Sequence, residues 1–202
     1  MSVLTKAEIW RALYEGQDGK GLVITPLVNR GKEIGTSSVD VHLGHEFIVF
    51  RRAKATALDI NEGEKLKENI YIYQRKERIS RGQRFVLHPG QLALGASLEY
   101  LCLPRRISAN IEGRSTWGRT GLIIATATKI DPGFKGCVTL ELINEGEVPL
   151  VLYPGLCVAQ LVLMRTDEPG EYKGRYNCPT GPGFPRLDLE LESLPEFYKP
   201  AE

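Results

Sequence analysis

A series of short apolar segments, each closed by a turn signal, is the feature that most constrains the fold of this chain. After Ile111 the segments are LIIATAT, CVTLELIN, PLVLY and LCVAQLVLM, at a spacing of roughly 8–12 residues that is typical of β-barrels and β-sandwiches. A parallel sheet would need helices between its strands, and the chain has neither βαβ alternation nor a G-x-G-x-x-G sequence. The sequence therefore predicts an all-β fold, mainly β with a short N-terminal helix, and argues against a Rossmann fold.

Three stretches of the N-terminal half extend this prediction. Residues 37–50 alternate between apolar and polar, which predicts a half-buried strand with a break at Gly44 and with Asp40 on the polar face. Residues 85–103 have two apolar runs on either side of a Pro-Gly turn, which predicts a β-hairpin. The charged residues 51–80 predict a surface excursion with one or two edge strands.

The two ends of the chain differ from its middle. Segment 1–16 predicts a helix, because Thr5 can act as N-cap and Glu8, three residues later, completes a capping box. Segment 168–202 begins with a stretch rich in Gly and Pro that cannot build a core of its own, so both a flexible lid over a ligand and a disordered tail remain open. The length of 202 residues predicts one domain over 1–202.

Charge and cysteine content limit the partners of the chain. The net charge of +1 gives no basic field for nucleic acid, so an acidic ligand must be bound by a few placed cations. The four cysteines form no C-x-x-C pair, the N-terminus has no apolar signal region, and no apolar run reaches the ~18 residues of a membrane span. We therefore expect free thiols, a cytoplasmic location and no membrane contact.

Several common catalytic constellations are missing from the sequence. There is no G-x-S-x-G nucleophile motif, and the H-x-E and P-C-x-x-C signature of zinc deaminases is absent. His42 and His45 stand three residues apart in a predicted strand region, which favours a structural or surface role over a metal site. The sequence predicts no metal-binding cluster.

A polar turn at residues 113–119 is a candidate phosphate site. Glycines allow close backbone approach, hydroxyl and N–H groups at a turn bind phosphate oxygens, and arginine adds a forked cation. The candidates are Arg114, Ser115, Thr116 and Arg119. Exposed arginines in polar turns are common, so this pattern alone leaves a solvated turn open.

Glu141 is the candidate for chemistry. In residues 137–143 the apolar Val138, Leu140 and Leu142 point one way, whereas Thr139, Glu141 and Ile143 point the other. The carboxylate lies either on an exposed outer face or in a pocket, and the pattern leaves both open. In a pocket, desolvation would raise its pKa toward the range useful for proton transfer.

Six motifs in order resemble those of dCTP deaminases, a family of the dUTPase-like superfamily. The resemblance extends from about Gly21 to Leu187 and rests on the motifs SSVDVHLG (37–44), HPGQLALG (88–95), EGRSTWGRTGL (112–122), ATKIDPGFKGCVTLEL (127–142), NEGEVPLVLYPG (144–155) and YKGRYNCPTGP (172–182). It implies a distorted β-barrel or jelly roll, a homotrimer with sites at the subunit interfaces, and hydrolytic deamination of dCTP to dUTP and ammonia. It also implies no zinc, with Mg²⁺ carried by the triphosphate.

The resemblance assigns roles to individual residues. Glu141 would be the general base and then acid, Ser115 and the backbone around Ala127 would hold the water, and Arg119 would stabilise developing charge. Substrate binding would use Arg114, Ser115 and Thr116 for the phosphates, Asp131 for the sugar and base edge, and Tyr172, Arg175 and Tyr176 of the tail.

Two other functions remain open on the sequence. A bifunctional enzyme would also split dUTP into dUMP and pyrophosphate, with Asp131 as the base that activates water. A plain dUTPase falls under the same heading, but the glutamate of TLEL argues against it because that chemistry does not need a carboxylate there. A nucleotide-binding module without turnover is the third possibility.

Overall fold

The computed structural model describes residues 2–15, 21–29, 31–51, 57–125 and 129–198. The strands formed by these residues are β1 (Ser2–Val3), β2 (Val23–Thr25), β3 (Val39–His42), β4 (Glu46–Phe50), β5 (Gln74–Arg78), β6 (Phe85–Leu87), β7 (Leu92–Cys102), β8 (Ile107–Gly113), β9 (Leu122–Ile124), β10 (Lys129–Ile130), β11 (Lys135–Asn144), β12 (Leu150–Leu152) and β13 (Cys157–Arg165). The α-helices are α1 (Lys6–Tyr14), α2 (Glu64–Tyr73), the single turn α3 (Ser115–Gly118) and α4 (Glu190–Ser193).

The strands form two antiparallel sheets and one small pair. One sheet has the order β5-β4-β7-β11-β9, with β2 also paired to β7; the other has the order β1-β13-β8-β10, with β3 also paired to β13. Strands β6 and β12 pair with each other. This mainly β architecture confirms the predicted fold class.

The hydrophobic core lies between the sheets. Strand β11 contributes Val138, Leu140 and Leu142, which are buried as their alternation predicts. Leu161 and Leu163 of β13, in the other sheet, belong to the same buried cluster and are fully buried. Since the apolar face of β11 fills the core, its other face is left for the site.

Helix α1 begins with the predicted capping box. The Glu8 carboxylate accepts a hydrogen bond from the Thr5 backbone N–H at 2.9 Å, and Thr5 Oγ1 accepts one from the Glu8 N–H at 3.4 Å. The helix is shorter than segment 1–16, because Ser2 and Val3 pair with β13 instead.

Helix α2 corrects the prediction for residues 51–80. Part of this stretch, including the alternating residues NIYIY, forms a helix that buries Leu66 and Ile70, four residues apart. Tyr71 and Ile72 of this helix are exposed, so the helical period, not the alternation, describes its apolar face. The predicted edge strand is present as β5.

The hairpin predicted for residues 85–103 is wrong. Both runs are strands around the turn at Pro89-Gly90, but β6 pairs with β12 and β7 pairs with β4, β11 and β2. The turn therefore moves the chain from one sheet to another. A short-range turn signal gives no information about partners that are distant in sequence.

His42 corrects the polar face predicted for β3. It is 4% exposed, and its Nδ1 lies 2.6 Å from Oε1 of Glu99, which is also buried. The partner carboxylate satisfies the buried imidazole, so His42 has a structural position in the core. Burial raises the pKa of Glu99, while the hydrogen bonds from His42 act in the opposite direction.

All four cysteines are free thiols, as predicted. None of the helices in the described part of the chain is long and apolar enough to cross a membrane.

Candidate active site

A cavity of about 580 Å³ lies on one face of the larger sheet. Leu94 of β7 pairs with Glu141 on one side and with Ile48 on the other, and Phe50 of β4 pairs with Gln74. Directly paired residues point the same way, and so do residues two apart in one strand. The paired side chains named here, from β4, β5, β7 and β11, therefore lie on the same face of the sheet. The cavity is lined by Phe50, Gln74, Leu92, Leu94, Lys129, Ile130, Asp131, Phe134, Cys137, Val138, Thr139, Glu141, Tyr172, Tyr176, Pro179, Gly183 and Pro185.

The C-terminal segment forms the cover of this cavity. Tyr172 packs edge-on against Phe134, with ring centroids 5.3 Å apart. The Pro179 carbonyl accepts a hydrogen bond from the Cys137 N–H at 2.7 Å. Gly136 has φ +136°, and a Cβ there would overlap the Pro179 ring, so only glycine allows the segment to lie this close to β11.

Glu141 lies in a pocket and not on an open outer face. Its side chain is half-buried beside Thr139, and within the described residues its carboxylate forms no hydrogen bond or ion pair. Burial raises the pKa of Glu141, and among the described residues no charge partner lowers it again. A carboxyl group in this setting exchanges protons nearer to neutral pH than an exposed glutamate does.

Three other predicted site residues share the cavity with Glu141. Asp131 lies in the turn before β11 and forms an ion pair with Lys129 at 2.9 Å. Tyr172 and Tyr176 come from the covering segment, and the Tyr172 hydroxyl accepts a hydrogen bond from the Tyr176 N–H at 3.3 Å. One chain thus brings together a carboxylate, a second acidic group and two phenols.

The polar turn forms a second group, which does not line the cavity. Arg114 precedes α3 as its N-cap, and Ser115, Thr116 and Arg119 are exposed. Trp117 anchors the turn by donating its indole N–H to the Cys157 carbonyl at 2.9 Å. The hydroxyl groups of Ser115 and Thr116 and the guanidinium group of Arg119 are exposed, which leaves them available to a ligand or to another chain.

The backbone behind this turn is held by a contact between two glycines. Gly121 has φ +91°, and a Cβ on it would lie 2.5 Å from the backbone nitrogen of Gly146. The Gly121 carbonyl also accepts a hydrogen bond from the Glu145 N–H at 2.8 Å. The position of the turn is thus tied to the residues that lead into β12.

The structure does not bring every predicted site residue into the cavity. Arg175 is exposed, forms an ion pair with Glu190 and does not line the cavity. Ala127 lies outside the described residues.

Gln74 is a cavity residue that the sequence did not indicate. It is 5% exposed, and its Oε1 has no hydrogen-bond partner among the residues that the structure describes. Its stretch was predicted to be surface, and no local pattern distinguishes a buried glutamine there. Thr139 could have been found, since it stands two residues before Glu141 on the same face.

A larger cleft of about 830 Å³ lies beyond Phe50 and Leu92. Arg51, Tyr73 and His88 contribute to its walls, and no carboxylate of the described chain lines it. The smaller cavity combines apolar walls with a few convergent polar groups and a carboxyl group of raised pKa, which is typical of a ligand site.

Comparison with known proteins gives consistent matches. A family model described as dCTP deaminase-like matches residues 3–166. A dCTP deaminase of Halorubrum lacusprofundi is 34% identical over 203 residues, with 97% of this chain and 94% of that protein covered. A dUMP-forming dCTP deaminase of Methanobrevibacter smithii is 38% identical over 172 residues, with 85% and 84% covered.

A solved structure shares the fold. The crystal structure of 2'-deoxycytidine 5'-triphosphate deaminase from Agrobacterium tumefaciens matches 80% of this chain with a TM-score of 0.58 and 22% identity. The chain spans about half the length of that protein, since 47% of it is covered.

Proposed function

This chain belongs to the dCTP deaminase-like family, and we propose that it hydrolyses dCTP to dUTP and ammonia. The observation that carries the proposal is the position of Glu141, a half-buried carboxyl group without a described partner in a mostly apolar cavity. The apolar walls suit the faces of a pyrimidine, and the carboxyl group suits proton transfer at its edge.

Glu141 acts first as a base and then as an acid in this proposal. It takes a proton from the water that attacks C4 of cytosine and passes a proton to the pyrimidine ring. Glu141 then moves the proton of the new C4 hydroxyl group to the amino group, so that the C4–N bond breaks, the C4 carbonyl forms and the amino group leaves as ammonia. Ser115 and the backbone around Ala127 hold the water, and Arg119 stabilises the charge that develops.

The site is completed by a neighbouring copy of the chain in this proposal. Glu141 lines the cavity, whereas the residues of the polar turn lie outside it on the same chain. This separation supports a homotrimer in which neighbouring chains share each site. Arg114, Ser115 and Thr116 of one chain then bind the phosphates of a nucleotide whose base lies in the cavity of the next. Asp131 contacts the sugar and base edge, and Tyr172, Tyr176 and Arg175 belong to the segment that closes over the nucleotide.

Magnesium enters as part of the substrate in this proposal, bound to the triphosphate. In the described residues no group of three or more His, Cys, Asp and Glu side chains is placed to hold a metal ion. A cytoplasmic location, where four free thiols persist, belongs to the same proposal.

Conversion of dCTP to dUMP is the second candidate. Asp131 lines the same cavity as Glu141, so one pocket holds two carboxylates that could act on different bonds. Relatives carry both names, with and without dUMP formation. A plain nucleotide-binding module would use the cavity without turnover.

A product assay tests the proposal. The full-length protein is incubated with dCTP and Mg²⁺, and the nucleotides are separated by ion exchange. We expect dUTP and ammonia; dUMP and pyrophosphate would establish the second candidate.

Glu141→Gln supplies the control for this assay. It should lose deamination by about 10²–10⁴-fold while retaining nucleotide binding. Turnover above a few per cent of wild type in this variant would exclude Glu141 as the acid–base group.

A further inference from the structure

The guanidinium group of Arg114 is held by a carboxylate from a distant part of the chain. Its Nη1 donates to Asp40 Oδ2 at 3.1 Å and also contacts the Cys157 sulfur. The two side chains are 35% and 27% exposed, so the pair lies at the edge of the protein interior. Hydrogen bonds to a charged group at such a site are stronger than those of fully exposed pairs.

Asp40 is itself fixed from two sides of the sheet. Gln160 of β13 is its partner across the β3–β13 ladder and donates Nε2 to Asp40 Oδ1 at 3.3 Å. Gln160 is also paired with Glu112 of β8, the strand that leads directly into Arg114. Three neighbouring strands thus determine where the Asp40 carboxylate lies relative to the arginine.

This arrangement leaves most of the guanidinium free for a ligand. Arginine has five N–H donors in a rigid fork, and only Nη1 is engaged with other described residues. A free arginine on a polar turn would sample many rotamers and would lose that freedom when it binds. A carboxylate that already fixes the fork removes part of this cost.

We propose that Asp40 is a positioning residue for nucleotide binding, which acts by fixing the guanidinium of Arg114 in the orientation that receives a triphosphate. The inference rests on the proposed function, in which Arg114 contacts the phosphates. Asp40 does not line the cavity that contains Glu141, so we expect its effect to fall on binding and not on the chemical step.

The first test separates binding from chemistry. Asp40→Asn keeps the shape of the side chain and removes its charge. We expect KM for dCTP to rise about tenfold while kcat stays within about twofold, because uniform binding is lost. In the Glu141→Gln background, Asp40→Asn should weaken binding of dCTP and leave binding of deoxycytidine, which has no phosphate, unchanged.

Glu77→Gln is a matched control. Glu77 also pairs with an arginine, Arg75, and its side chain is 28% exposed, close to the value for Asp40. The pair lies on the edge strand β5, so the control should leave KM and kcat unchanged. Thermal unfolding of both variants shows whether either has lost stability.

A double-mutant cycle then tests whether Asp40 acts through Arg114. Arg114→Ala should raise KM, and adding Asp40→Asn should raise it no further. A further loss of the same size in the double variant would overturn the proposal, because Asp40 would then act independently.

Two other results would also overturn it. If Asp40 competes with the nucleotide for Arg114, Asp40→Asn will tighten dCTP binding. If Asp40 only supports the fold, the variant will lose kcat and thermal stability at unchanged KM. If the wild type does not turn over dCTP and Glu141→Gln does not bind it, the proposed function is wrong. This inference, which rests on it, then fails as well.

Discussion

Glu141 differs from Asp131 and Asp40 because its carboxylate is partly buried and has no ion-pair partner among the described residues. Asp131 forms an ion pair with Lys129 and Asp40 forms one with Arg114, whereas within the described residues the Glu141 carboxylate forms no ion pair. Its pKa therefore shifts in one direction only, upward. Because the base form exists only above that pKa, lowering the pH through the raised value removes the group that activates water.

The pH–rate profile of dCTP turnover should show this shift. We expect the acid limb of kcat to lie above the value of about 4.3 that is typical of an unperturbed glutamate. The measurement is kcat at saturating dCTP over a pH series, with folding checked at each pH. An acid limb at or below the ordinary value would contradict the role of Glu141 as the base.

Gln74 gives a prediction about stability. In the described part of the chain its buried Oε1 has no hydrogen-bond partner, so Gln74→Met should raise the free energy of unfolding by about 1 kcal/mol. Ser97→Ala is the matched comparison, because the Ser97 hydroxyl donates to the Glu99 carbonyl at 2.7 Å and accepts from the Val138 N–H at 2.8 Å. That variant should lose about 2 kcal/mol, since a buried donor and acceptor lose their partner. Urea unfolding measures both.

The covering segment sets the properties of the site at the scale of elements. It runs from Gly170 to Pro185 without a helix or strand, and its contacts with β11 and Phe134 close one side of the cavity. Its Gly and Pro content indicated that it could not fold alone. The sequence could not indicate where it would lie, because that depends on single contacts such as Gly136 with Pro179.

Gly136→Ala should displace the covering segment from β11. The added Cβ overlaps Pro179 and the backbone has φ +136°, so we expect KM for dCTP to rise and the segment to become more sensitive to protease. Gly82→Ala is the control, since Gly82 also has positive φ, +79°, but has open space around its Cβ position. Equal effects of the two substitutions on KM would show that backbone strain, not the Pro179 contact, is responsible.

The elements show why some predictions succeeded and others did not. The prediction of which face of β11 is buried was correct, because alternation in a strand depends only on neighbouring residues. Helix α2 was missed because the alternation of NIYIY hid a helical period, whereas the pairing of β6 with β12 depended on contacts distant in sequence. His42 was misplaced for the same reason, since its partner Glu99 is 57 residues away.

At the scale of the whole molecule, the separation of Glu141 from the polar turn predicts dependence on assembly. Light scattering should give a trimer if the proposed sites are shared. The residue pattern of a single chain does not indicate how many copies assemble. The sequence indicated a trimer only through the resemblance to a family.

Mixed assemblies test sharing directly. Arg119→Ala and Glu141→Gln should each be inactive, but unfolded together and refolded they should recover activity, with roughly a quarter of the sites intact in a random trimer. Each variant refolded alone is the control. No recovery in the mixture would place both residues in the same chain's contribution.

The contact between Gly121 and Gly146 affects how a map of substitutions across this chain should be interpreted. Neither residue carries a functional group, yet no side chain fits where the two backbones meet. A screen that selects for activity will therefore reject substitutions at Gly121 as strictly as those at Glu141. Intolerance at Gly121 reports the fixed placement of the neighbouring arginines, and a soluble variant that fails there has lost alignment, not chemistry.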